Sequence, residues 1–465
     1  MSRIAIIGGG ISGLAAAFAL EELRRNKSVL VEYVLYESSP RLGGVVRTEH
    51  IDGCVVEAGP DSFLTEKTWA TDLCCAVDLS NQLIGSNDSD RKTYILVRGR
   101  LIPMPDGLMF MVPTKIMPTV LSPLFSWKTK LRMARELFHP RNNGPDESVA
   151  SFVERHYGSE MVDRLADPLL SGIYGGEAVS LSLRAVLPRF HDMEDSHGSL
   201  GRAMLAARKK MSQVPPKPVQ PLFTSLKNGM QKLTDAVISR LSTASLLTNA
   251  GVQDIQREAA GWLVSAGMRS DYFNGVILAL PAPAAAQVLR TASPGLSAEL
   301  AAIEYGSSIT VGLGYDRGVR ESLPPGFGFL VPRSEGKRLL AATFVHNKFP
   351  HRAPEDRALL RCFFAGKNAE DLWPLADDQI VGIVRNELQQ ILGLRAAPVF
   401  VRVSRWKSAM AQYSVGHLDR LDRIERLRQQ LPALALAGNA YRGIGIPDCI
   451  RSGRDAATQL AKTLA

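Results

Sequence analysis

The run Ile4-Ala5-Ile6-Ile7-Gly8-Gly9-Gly10-Ile11-Ser12-Gly13, continuing into Leu14 to Arg25, decides the fold of the N-terminal part. Four apolar residues in a row predict a short buried strand, and the Ala- and Leu-rich stretch after Gly13 predicts a helix. Between them G-x-G-x-x-G is filled by Gly8, Gly10 and Gly13. Gly8 permits the tight turn, Gly10 lets the backbone approach a pyrophosphate, and Gly13 lets helix and strand pack closely. Gly9, Ile11 and Ser12 complete the turn and open the helix, whose N-terminal N–H groups favour phosphate. A second strand, Val29 to Tyr36, ends in Glu37, where a carboxylate can accept both ribose hydroxyls. Strand, glycines, helix, strand and acid succeed one another within one βαβ length. That order predicts a dinucleotide site and leaves NAD and FAD both open.

The residues beyond Glu37 separate the two cofactors. Ser38-Ser39-Pro40-Arg41-Leu42-Gly43-Gly44-Val45 continues the loop, and Glu57-Ala58-Gly59-Pro60-Asp61-Ser62-Phe63 comes soon after. The pattern E-x-x-x-R-x-G-G resembles the flavin amine oxidase superfamily, in which a second glycine turn packs around the pyrophosphate of FAD. The resemblance implies a non-covalent FAD. Its contacts would include Ser38, Arg41, Gly43, Gly44 and Val45, then Gly59, Pro60, Asp61 and Ser62. Arg41 would add a cation near the phosphates; read without the family it is a solvated loop charge.

The middle of the chain returns to the nucleotide fold. Thr248 to Ile255, which contains Val252, reads as a strand, as does Gly275 to Leu280, ended by Pro281 and Pro283. The last strand, Leu434 to Ala437, leads through a glycine-rich loop to Gly445-Ile446-Pro447 and a helix to about Leu464. The expected architecture is α/β. A discontinuous Rossmann-like FAD-binding domain comprises residues 1–83, 222–289 and 404–465. A helical insertion, facing substrate or membrane, covers 84–221, and a mixed-sheet substrate domain covers 290–403. Ser212 to Pro221, with four prolines, reads as a linker.

Composition narrows the class. The net charge is +9, yet the basic residues are scattered, which argues against nucleic-acid binding. Five cysteines without CxxC spacing argue against a disulfide framework or a zinc site, and fit a reducing cytoplasm. Leu108 to Phe125 is the most membrane-like stretch, but Pro113, Lys115, Pro118 and Pro123 interrupt it. It suits a membrane surface or an apolar cavity better than a span. No metal cluster, catalytic triad or acid/base pair is expected, and His346 and His351 read as surface or loop residues.

Further motifs extend the resemblance to the protoporphyrinogen/coproporphyrinogen oxidase family. They are Glu147 to Phe152, Pro168 to Gly176, Gly326 to Pro332, Phe349 to Pro354 and Gly445 to Ile450. The resemblance implies that a porphyrinogen loses six hydrogens in three hydride transfers to the flavin, with oxygen reduced to peroxide. Residues matched to the family's substrate slot are Gly172, with no side chain to obstruct a flat macrocycle, and Leu330 with Phe349, which would sandwich a pyrrole. Trp406 matches a tryptophan near the flavin. Read alone, these are a turn glycine and three core residues. One departure bears on substrate. Members that use protoporphyrinogen IX carry an arginine where Thr93 stands here, and the stretch around Pro103-Met104-Pro105 resembles the branch that oxidises coproporphyrinogen III; Gly326 to Pro332 resembles the protoporphyrinogen users, so protoporphyrinogen IX stays the alternative substrate. A basic pocket suits the four propionates of coproporphyrinogen III. Arg91, Lys92, Arg98 and Lys115 are candidate partners for them, each equally a solvated charge. Peripheral membrane contact and hand-off of product to a ferrochelatase complete the expected partners.

Overall fold

The computed structural model describes residues 2–26, 30–109, 112–113, 115–142, 144–211 and 220–465. Residues 212–219 of the expected linker lie outside them. The N-terminal strand Ser2–Ile7 is central in a five-stranded parallel sheet. Val31–Tyr36 and then Leu246–Leu247 lie on one side of it, and Gly275–Leu278 and then Leu434–Leu436 on the other. Ile4 and Ile6 face a different core from Ala5 and Ile7, so the sheet is buried on both faces. The helices Ile11–Arg25 and Ile446–Leu464 pack together on the first face. They cross at backbone contact, since a Cβ added to Gly453 would sit 2.0 Å from the Ser12 carbonyl oxygen.

The segment after Thr248 departs from the expected strand of the nucleotide fold. Asn249 takes φ 51° and ends the edge strand at Leu247. The chain then enters an antiparallel meander of Val252–Glu258, Gly261–Ala266 and Arg269–Phe273. Asn is among the few non-glycine residues that accept this left-handed conformation readily.

The second large sheet has seven strands. Their order is Phe400–Ala411, Tyr305–Asp316, Arg357–Ala365, Ala341–Phe344, Gly328–Leu330, Thr93–Val97 and Arg100–Pro103. All pairs are antiparallel except Gly328–Leu330 with Thr93–Val97, so the sheet is mixed. This corrects the expectation that the chain is helical from residue 84: Leu83–Gly85, Thr93–Val97 and Arg100–Pro103 are strands, and the first α-helix described after them begins at Ile116. Thr93-Tyr94-Ile95-Leu96-Val97 is β-branched and aromatic enough to explain the difference. Side chains alternate across the sheet. Ile95 and Leu330 face the helical segment, whereas Leu96, Phe329 and Val331 face the opposite core.

Candidate functional site

Two glycine turns clasp each other at the carboxyl end of the parallel sheet. Gly8 has φ 110°, and a Cβ there would sit 2.4 Å from the Ala279 carbonyl oxygen. A Cβ on Gly13 would sit 1.9 Å from the Gly8 carbonyl oxygen, so both positions exclude a side chain. Gly10 differs. A Cβ there would meet nothing within 4 Å, which is the open backbone face a pyrophosphate needs. The Gly43 N–H donates to the Gly9 carbonyl at 2.8 Å, and Gly44, at φ 56°, brings its Cβ position within 3.2 Å of the Gly10 Cα. Arg41 braces this second turn by donating to the carbonyls of Leu42 (2.9 Å), Val46 (3.0 Å) and Gly44. It is neither a solvated charge nor an uncommitted cation; its guanidinium holds Gly43, Gly44 and Val45 in place.

Glu37 is anchored at the strand end. Its carboxylate accepts from the N–H groups of Gly9 (2.7 Å) and Ser39 (2.8 Å), and the Ser38 hydroxyl lies at 3.3 Å. Ala250 N–H donates to the Glu37 carbonyl at 2.8 Å, which brings the start of the Val252 strand beside the acid.

The far wall comes from Glu57 to Ser62. A Cβ on Gly59 would sit 1.9 Å from the Val45 carbonyl oxygen, so this segment presses on the second turn. The Ala58 carbonyl accepts from Trp406 Nε1 and Thr310 Oγ1, both at 2.8 Å. Pro60 is half-buried between this contact and Asp61. Lys348 Nζ reaches Asp61 at 3.0 Å and the Ser62 hydroxyl at 3.1 Å. Burial opposes the charged Asp61, but Lys348 and Arg361 outweigh it and hold the carboxyl well below the usual range. Buried Glu57 pairs with Arg352, which is 1% exposed.

Gly445 precedes the helix Ile446–Leu464, with Pro447 in its first turn. The Tyr413 hydroxyl accepts from Gly443 N–H and donates to the Asn439 carbonyl, each at 2.8 Å, and so fixes the loop before that helix. Asp448 in the first turn is neutralised by Lys67 at 2.7 Å. The N-termini of the first and last helices offer partial positive charge, which would suit the phosphates and the reduced ring of a bound flavin. The open face at Gly10 and the anchored Glu37 fit FAD.

On the sheet face toward the helices, Leu330, Leu169, Leu170, Tyr174 and Ile444 belong to one apolar cluster. Gly172 lies on the same helix as Leu169 and Tyr174 (Asp167–Tyr174), is exposed, and has open space at its Cβ position. Phe349 is buried beside two cations. Its ring is 1% exposed, with Lys348 Nζ 5.1 Å and Arg352 6.0 Å from its centroid. The tight turns Val345–Lys348 and Pro350–Arg352 tuck it beneath those cations. His346 also differs from expectation. It is 1% exposed, and Leu359 N–H donates to its Nδ1 at 3.1 Å. Sequence reading missed Arg352, Lys348 and Tyr413. The first two lie in or beside the Phe349 to Pro354 motif, but nothing local shows that their partners, Glu57 and Asp61, are nearly three hundred residues away.

Comparison with known proteins agrees with this geometry. The profile of the flavin containing amine oxidoreductases matches residues 11–461. The chain belongs to that family. It is 35% identical to a coproporphyrinogen III oxidase of Bacillus subtilis (strain 168) over 460 residues, covering 98% of this chain and 97% of that one. A coproporphyrinogen III oxidase of Propionibacterium freudenreichii is 32% identical, covering 98% and 90%. Among solved structures, an Exiguobacterium sp. 255-15 protein assigned provisionally as a protoporphyrinogen oxidase superposes with a TM-score of 0.87 at 30% identity, over 99% of each chain. The chain is therefore a flavin-dependent oxidoreductase with FAD as its cofactor.

Proposed function

We propose that the chain oxidises coproporphyrinogen III to coproporphyrin III, with molecular oxygen as the electron acceptor. The observation that carries this reading is the cluster joining Leu330 and Tyr174 to Ile444, which sets an apolar wall against the loop entering the last helix. FAD, when bound, supplies the two-electron redox chemistry. The chain's own residues bind and orient. Gly8 to Gly13 and Gly43 to Val45 hold the pyrophosphate, and Glu37 takes the ribose. Gly59 to Ser62, Trp406, Val252 and Gly445 to Pro447 enclose the remainder. Gly172 and Leu330 present a side-chain-free and an apolar surface to the macrocycle, while the cluster around them excludes water.

Thr93 in place of an arginine and the overall positive charge favour coproporphyrinogen III over protoporphyrinogen IX. The test is turnover of both substrates by the purified flavoprotein, read as porphyrin fluorescence and peroxide. Faster formation of coproporphyrin is expected, and no porphyrin above autoxidation from either substrate overturns the reading.

No helix among the described residues is long and apolar enough to cross a membrane. Leu121, Trp127, Leu131 and Phe138 are nevertheless 74%, 70%, 63% and 84% exposed, beside Lys128, Lys130, Arg132 and Arg135. Apolar and basic side chains so mixed suit an anionic membrane surface, facing the cytoplasm, with product passed on to a ferrochelatase.

A further inference from the structure

The loop 437–445 carries the chain from the strand Leu434–Leu436 into the helix Ile446–Leu464 and contains no helix or strand of its own. Gly438 takes φ 128° and Gly443 φ 118°, conformations that other residues rarely adopt. Between these two, among the described residues, the backbone hydrogen bonds all end on side chains. Gly438 N–H donates to Ser452 Oγ at 3.1 Å, and the Arg442 carbonyl accepts from Arg451 at 3.0 Å. The Tyr441 carbonyl lies 3.1 Å from His417 Nε2. The other two, at the Asn439 carbonyl and Gly443 N–H, both belong to the Tyr413 hydroxyl. A loop without a ladder of its own takes its shape from such partners.

Tyr413 is itself held in place. Its ring is buried, stacks on His417 with centroids 4.1 Å and planes 12° apart, and packs in the apolar cluster of Tyr174, Leu330 and Ile444. Its carbonyl accepts from Ser182 N–H at 2.7 Å. Burial pushes the phenol far above its usual range, so the hydroxyl keeps the proton it gives to Asn439.

The two ends of this clamp differ. Asn439 is fixed twice more, since its Oδ1 accepts from the Tyr305 hydroxyl and its Nδ2 donates to the Ala409 carbonyl, each at 3.0 Å. Gly443 instead lies against the helix. A Cβ on it would sit 2.3 Å from Asp448 Cγ, in the first turn of Ile446–Leu464. Movement of Gly443 is therefore felt directly at the helix N-terminus.

We propose that Tyr413 is a positioning residue for the flavin: its hydroxyl sets the loop, and the loop sets how the last helix's N-terminus meets the bound ring. A helix N-terminus favours negative charge, which a reduced flavin carries near N1 and an oxidised one lacks. Loosening that end disfavours the reduced form, and the midpoint potential falls. The inference rests on the flavin site described above and not on which porphyrinogen is oxidised.

Reductive titration of the purified flavoprotein against a reference dye reads this potential without any porphyrinogen. Tyr413→Phe keeps the ring and its stacking but releases Gly443 N–H and the Asn439 carbonyl. It should retain its flavin and lose about threefold to tenfold of its preference for the reduced form, roughly 15–30 mV for a two-electron couple. Tyr305→Phe, which releases Asn439 Oδ1 and leaves Tyr413 in place, should shift the potential the same way by less. His156→Gln, which breaks buried hydrogen bonds in the helical segment, should leave it unchanged. An unaltered potential in Tyr413→Phe overturns the proposal. So does an equal fall in His156→Gln, which makes the shift a general effect of destabilisation. Should Tyr413→Phe purify colourless, Tyr305→Phe decides by the same reading. Unaltered protein that holds no flavin rejects the cofactor site itself.

Discussion

Gly10 and Gly172 both have room for a Cβ, and substituting them separates cofactor binding from substrate binding. Nothing in the protein itself opposes a larger side chain at Gly10. Gly10→Val should therefore fold, with an ordinary thermal unfolding transition, yet purify without flavin absorbance because the branched side chain occupies the pyrophosphate's approach. Full flavin content in that variant would count against the site. Gly172 sits in a helix, where alanine should stabilise by about 0.5–1 kcal/mol. If its open side is the macrocycle's surface, Gly172→Ala should raise KM for coproporphyrinogen III several-fold while flavin content stays unchanged; an unaltered KM removes Gly172 from the substrate face. Gly8 and Gly13 were legible in the sequence because their spacing states a geometric need, and the structure fills the space around them with backbone. Arg41 was less legible. It spends its charge on local carbonyls, an outcome decided by neighbours that spacing does not reveal.

Among the helices, one buried network sets a pH dependence. His156 has a fully buried ring whose Nδ1 lies 3.1 Å from Glu136 and whose Nε2 lies 3.0 Å from Glu194. Glu136 also accepts from Leu200 N–H (2.6 Å) and the Ser199 hydroxyl (2.9 Å), and Arg155 pairs with Glu194. The network so ties Glu136–Phe138, Val149–Tyr157, Pro188–His197 and Leu200–Met211 together. Burial opposes the charged imidazolium, but the two carboxylates outweigh it and raise its pKa above 6.5. Glu194 is correspondingly held at about 2, against burial, by His156 and Arg155. His139, stacked on His156 at 4.0 Å, is pushed the other way by burial and by that neighbouring charge.

A raised histidine pKa stabilises fully below the unfolded value of about 6.5 and is lost as pH rises through the folded value. His346, in the sheet domain, has the opposite sign. Burial lowers its pKa to about 4, so its contribution holds above about 6.5 and disappears as pH falls toward about 4. Thermal midpoints measured against pH should lose their alkaline decline in His156→Gln and part of their acid decline in His346→Gln. Parallel profiles for all three proteins reject the assignment. The helical surroundings of His156 were foreseen, whereas the strands from Leu83 to Pro103 were not, because short β-branched runs were absorbed into a helix-rich segment.

Over the whole molecule, the exposed apolar residues Leu121, Trp127, Leu131 and Phe138 alternate with basic ones along one stretch of chain. The paired change Trp127→Ser and Leu131→Ser should reduce sedimentation with phosphatidylglycerol vesicles several-fold, with turnover in detergent unchanged. Equal sedimentation rejects membrane attachment through this face. The parallel sheet and its return late in the chain were legible, since glycine loops and apolar runs mark both. The seven-stranded sheet was legible only as mixed, because its order joins strands far apart in sequence. The cofactor sheet has a consequence in time. Ser2–Ile7 finds one neighbour at Gly275–Leu278, and the helix it launches packs on Ile446–Leu464. A ribosome adding roughly 5–20 residues per second takes on the order of tens of seconds to supply that last helix. Until then the first helix lacks the helix it packs on, and the N-terminal glycine turn depends for its surroundings on the last residues to be made.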